Sequence, residues 1–75
     1  MSIQSAIEKN LRNVLEARNV ITSANCLKNS ILKRDMVAHW ATVIANHLPT
    51  YSPEQCLQMA EFGFDNAVES IFCEV

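Results

Sequence analysis

Apolar side chains recur at three- and four-residue intervals along almost the whole of this 75-residue chain, and only one glycine and two prolines interrupt them. That spacing suits a backbone coiling at 3.6 residues per turn, and the scarcity of turn formers argues against a sheet. With 49% apolar residues the chain is also too hydrophobic to stay disordered. The expectation is an all-α protein, a small helical hairpin or bundle of three or four helices forming one domain over residues 1–75. A core of this size buries only about 60% of the unfolded chain's surface and rarely supplies more than ~3–5 kcal/mol. Self-association is therefore part of the expectation.

The first helix is read from Ile3, Ile7, Leu11, Val14 and Leu15, which form one apolar stripe, with Lys9, Arg12, Asn13 and Glu16 mostly opposite. It starts at Ser2 or at the capping box Ser5-Ala-Ile-Glu8, and ends near Asn19. From Thr22 to His47 there is no glycine or proline, while Leu27, Ile31, Leu32, Met36, Val37, Trp40, Val43, Ile44 and Leu48 keep helical spacing. One long helix is expected there, kinked if anywhere at Lys33-Arg34-Asp35; the alternative is a break at that polar run, with Asp35 capping a new helix. Pro49 ends it, because proline disfavours helical geometry at Leu48 and cannot donate to a continuing helix.

Ser52-Pro53-Glu54-Gln55 then carries an N-cap serine, a first-turn proline and acid, and a capping-box glutamine, with Tyr51 placed to staple onto Cys56. The last helix draws its buried face from some combination of Leu57, Met59 or Ala60, Phe64, Ala67, Val68, Ile71 and Phe72. Gly63 is expected inside it, costing about 1 kcal/mol against alanine and permitting close approach of a neighbouring helix. The alternative is a left-handed cap at Gly63 that ends one helix and begins another.

All six basic residues (Lys9, Arg12, Arg18, Lys28, Lys33, Arg34) precede Asp35. With Glu8 and Glu16 the first 34 residues carry +4, while Asp35, Glu54, Glu61, Asp65, Glu69 and Glu74 give the remainder −6. Such asymmetry means solvated helix faces, an anionic partner, or complementary halves meeting within one molecule or between subunits.

Nothing in the chain reads as catalytic, so the expectation is a non-enzyme with no metal or cofactor. Cys26, Cys56 and Cys73 lack close pairing and read as buried free thiols. His39 beside Trp40 reads as a surface residue, and His47 as a cation favoured by a helix C-terminus. A single glycine excludes a phosphate-cradling loop. No apolar run approaches the ~18–20 residues of a membrane span, and no export signal stands at the N-terminus, so a cytoplasmic protein is expected. A helix-turn-helix over residues 59–66 is disfavoured, since its recognition helix would present Asp65, Glu69 and Glu74, without any basic residue, to phosphates.

The series Leu48-Pro49, Ser52, Glu54, Leu57, Glu61, Phe64, Ala67 and Ile71, roughly the last third of the chain, resembles the terminal hairpin of phage anti-CBASS proteins. Those small helical oligomers sequester cyclic oligonucleotide signals of bacterial immunity. The resemblance implies a cyclic-oligonucleotide sponge, in which Lys28, Lys33 and Arg34 would contact phosphates and Tyr51 would offer a stacking face. Elimination favours a broader reading, a helical binding protein acting as adaptor, inhibitor or regulator through a protein partner, a second copy of itself, or both.

Overall fold

Serine hydroxyls open three of the four helices of this chain. The computed structural model describes residues 3–19 and 23–72, and these form α1 (Ile3–Ala17), α2 (Ala24–Lys28), α3 (Ile31–His47) and α4 (Pro53–Phe72). Ser23 Oγ accepts from the Cys26 amide, Ser30 Oγ from Lys33 and Ser52 Oγ from Gln55, each at 3.2 Å. Each bond satisfies an amide that the first helical turn leaves without an intrahelical acceptor. At Ser52 the capping box is complete, because Gln55 Oε1 accepts the Ser52 amide at 3.0 Å.

The expected long helix is two helices, and the break lies at Asn29-Ser30 rather than at Lys33-Arg34-Asp35. Ser30 adopts an extended backbone, φ −94° and ψ 163°. Its hydroxyl donates to the Leu27 carbonyl at 2.6 Å while accepting from Lys33. One side chain thus closes α2 and starts α3, a competition with the helical ladder open to serine and not to apolar residues. Lys33, Arg34 and Asp35 continue without interruption inside α3.

The N-terminal capping box is not used as one either. Ser5 already lies inside α1, and Glu8 turns instead toward Arg12 and Ser70; Ser2 lies outside the described residues. Beyond Ala17, Asn19 takes a left-handed conformation, φ 51°, which asparagine tolerates better than most residues.

α4 runs unbroken through Gly63 and is the central helix. α1 lies along one side of it in the same direction, since Gln4 Nε2 donates to the Gly63 carbonyl at 3.2 Å and Ser70 Oγ to Glu8 at 2.9 Å. α3 lies along the other side and runs the opposite way, its Lys33 beside Glu61 and Asp65, its Ile44 beside Cys56 and Ala60. Between the helices Phe64, Ile7, Leu11, Leu27, Met36, Ala67 and Val68 form the main core. Ile44, Cys56 and Ala60 form a smaller one near the α3–α4 turn, with Ile3, Val37 and Trp40 packed against both. Trp40 Nε1 also donates to Asn10 Oδ1 at 3.3 Å, tying α3 to α1.

Leu57 was expected in this core and is instead about half exposed, because α3 meets α4 through Ala60 and Phe64 on the adjoining strip.

Gly63 is the point of closest approach. A Cβ there would stand 2.6 Å from Ile7 Cδ1, well inside contact distance, so the end of the buried Ile7 side chain would have to shift within the core to admit it. Gly63→Ala therefore sets a helix-propensity gain of about 1 kcal/mol against an overpacking cost of about 1–3 kcal/mol. We expect a net loss near 1 kcal/mol in chemical denaturation. In an Ile7→Val background, which removes the clashing carbon, the same substitution is expected to stabilise by up to about 1 kcal/mol. Equal effects in both backgrounds would show that the contact does not limit the approach.

Candidate functional site

The segregated charges of the sequence meet inside the molecule. Lys28 Nζ lies 3.2 Å from Glu69, and Lys33 Nζ lies 3.4 Å from Glu61 and 3.2 Å from Asp65. The Asp65 Oδ1 atom is shielded from water and accepts no directed hydrogen bond, so its contact with Lys33 is one of charge with charge. Partly exposed pairs of this kind are each worth about 0–1 kcal/mol. Their larger effect is to orient α2 and α3 on α4 and to occupy two of the three cations expected to meet a phosphate.

The speculative ligand set Lys28, Lys33, Arg34 and Tyr51 is consequently divided. Lys28 and Lys33 face carboxylates, and Arg34 is exposed with no ion pair among the described residues. Tyr51 is exposed in the α3–α4 turn. At about 1.5 Å per residue, α3 holds it roughly 20 Å or more from the Lys33 end. Within one chain these four side chains do not converge.

The other reactive groups are also scattered. Cys56 is a buried thiol, Cys26 is exposed where burial was expected, and Cys73 lies outside the described residues. The His39 ring meets Trp40 edge-on, centroids 5.6 Å apart. His47 Nδ1 donates to the Val43 carbonyl at 2.9 Å in the last turn of α3. Among the described residues no three His, Cys, Asp or Glu side chains gather as a metal site, and no helix is long and apolar enough to cross a membrane.

What the molecule does present is apolar surface in two places. On the outer side of α4, Phe62 is 68% exposed, with Met59 one turn before it. Of their neighbours at three- and four-residue spacing, Gln55, Gln58 and Asn66 are exposed and uncharged, and the one charged neighbour, Asp65, is half-buried and paired with Lys33. The second place is a groove of about 370 Å³ between α3 and the start of α4. Ala38, Ala41 and Ala45 form its α3 side, and Pro53, Cys56 and Leu57 its α4 side, with Thr42 and Asn46 at the edge.

Apolar periodicity marks the inward stripe of α4 and does not single out Phe62, which lies off it. Its position was readable nonetheless, half a helical turn from the Ala60, Phe64 and Ala67 face. Comparison with known proteins adds nothing to this geometry: no family model matches the chain, and neither does any curated protein or solved structure.

One electrostatic consequence is directly measurable. The hydrogen bond from Ser70, followed by that from Arg12, holds the Glu8 carboxyl below its ordinary value near 4.5, against a smaller desolvation effect that raises it. A depressed carboxylate stabilises the fold above its unfolded pKa, and that contribution is lost as pH falls through the folded value. In Ser70→Ala, the Glu8 pKa is expected to rise toward 4.5, with a shallower fall of melting temperature on acidification. A carboxyl-carbon NMR titration of Glu8 that does not move on substitution would remove Ser70 as the cause.

Proposed function

We propose that this protein is a non-enzymatic binding module that docks another protein on the outer face of α4, with Phe62 as the anchoring side chain. The observation that carries this reading is a large aromatic ring left open to water in the middle of a helix, beside Met59 and among the uncharged side chains of Gln55, Gln58 and Asn66. Interface centres are depleted of charge and enriched in aromatic residues and methionine, and a few such anchors carry most of the binding energy. Glu54, Glu61 and Glu69 border this surface, so a partner with basic residues around an apolar pocket fits it best.

The cyclic-oligonucleotide reading has less support, because carboxylates already face Lys28 and Lys33, and Tyr51 stands at the far end of α3. Duplex DNA is disfavoured by a final helix with no basic residue.

Phe62→Glu tests the docking face. As a surface change away from the core it is expected to alter stability by no more than about 0.5 kcal/mol, read by thermal denaturation. Capture of partner proteins from host lysate should meanwhile fall by at least about tenfold, equivalent to 1.4 kcal/mol or more. Unchanged capture by the substituted protein would refute the assignment of Phe62.

A further inference from the structure

The groove on the other side of the molecule has a feature that the α4 face lacks: a side chain that fits it stands on the same helix. Ile31 is the first residue of α3 and is 74% exposed, the most open large apolar side chain among the described residues. Ala38 and Ala45 follow at seven-residue steps, close to two helical turns each, and so share its face. Both alanines line the groove. α3 therefore carries a projecting isoleucine at one end, a socket at the other and a small residue midway between them.

We propose that a second copy of this chain fills the groove, in a two-fold dimer whose α3 helices pack antiparallel about Ala38. A two-fold axis through Ala38 carries Ile31 onto the partner's Ala45, because each lies seven residues, about 10 Å, from the axis. Both Ile31 side chains then enter grooves, and the contact closes on itself as an isologous interface must. Alanines along the seam let the helices approach to about 8 Å, the close end of the usual range.

Charge selects the same arrangement. Arg34 lies one turn before Ala38 and two before Ala41, on the groove side of this face. In the dimer it reaches the mouth of the partner's groove beside Leu57. There Glu54 stands one turn earlier on α4, exposed and, like Arg34, without an ion pair among the described residues. Parallel packing would set Ile31 on Ile31 and Ala45 on Ala45, leaving both sockets empty. A second copy is thus a better occupant than an unrelated helix, since it supplies an apolar plug and a cation at the spacing the groove requires.

Sedimentation equilibrium of the full chain tests this. The weight-average mass is expected to rise from 8.4 kDa toward about twice that value between low and high micromolar concentration. Ile31→Asp should weaken association by at least about tenfold while keeping the fold, because an acid in the first turn of a helix is favourable. Arg34→Glu and Glu54→Arg should each weaken self-association, and an equimolar mixture of the two should restore it, since both cross-pairs are regenerated in the heterodimer. With Cys26 and Cys73 replaced by serine, Ala38→Cys should form a disulfide with itself. Ile31→Cys should couple to Ala45→Cys and not to itself.

A monomer throughout the range, a dimer indifferent to Ile31→Asp, or self-coupling of Ile31→Cys would each overturn the proposal. Phe62→Glu should leave the mass unchanged, so failure of this dimer and failure of the α4 docking face can be told apart.

Discussion

The bundle depends on how closely α1 can lie against α4, and the missing side chain at Gly63 sets that distance. With Ile7 seated over the glycine, Ile7 and Leu11 lose essentially all contact with water. Gln4 also comes within hydrogen-bonding range of the Gly63 carbonyl. Burial of side chains this size is worth about 1.5–3 kcal/mol each, a large share of the stability a domain of this length can hold. Glycine in a helix interior costs about 1 kcal/mol against alanine. The sequence therefore gives up local helix stability to gain tertiary contact, and α4 becomes the scaffold on which the other helices are arranged.

From that scaffold the exposed faces follow. α1 takes one side of α4 and α3 the other, and the side pointing away from both carries Met59 and Phe62. The ion pairs from Lys28 and Lys33 to Glu69, Glu61 and Asp65 hold α2 and the start of α3 in register with α4. These pairs are too exposed to contribute much stability, but they favour one register, because a slide of α3 by one turn would leave Lys33 within reach of only one of its two carboxylates. They also account for the opposite charges of the two halves without an external anion. The charge left unpaired at the surface is what bears on recognition, and Arg34 and Glu54 belong to that remainder.

The helical class and the α4 cap were legible in the sequence because each is decided locally. Periodicity reports which side of a helix is apolar, and Ser52-Pro53-Glu54-Gln55 contains both partners of its own hydrogen bonds. The unbroken course of α4 was legible too, since the stripe on both sides of Gly63 keeps one phase. The division between α2 and α3 was not. Asn29-Ser30 contains neither glycine nor proline, and a serine inside an apolar repeat looks like a tolerated helical residue until its hydroxyl is seen bonded to Leu27 and Lys33. The same break explains Ile31, which seemed one more member of the inward stripe and became the first, outward-facing residue of a new helix. Leu57 was misplaced for a related reason, since periodicity names an apolar sector and only packing decides how much of that sector a neighbour covers.

α3 makes this last point most fully. Its inner side carries Met36, Trp40 and Ile44, Ala41 and Ala45 pack at the edge of the smaller core, and Ile31 and Ala38 stand exposed beyond them, so the apolar sector is wider than a single packed stripe. A helix patterned in this way is covered on more than one side in stable folds, yet α4 and the core cover only one side of α3 here. A polar substitution at Ala38 would cost a monomer little, as a short side chain at the surface contributes little packing. Small apolar residues at Ala38 and Ala45, in a row that begins with an exposed isoleucine, fit a helix that has a second neighbour. The chain's size points the same way, because a domain this short gains proportionally more from each additional buried face than a larger one does.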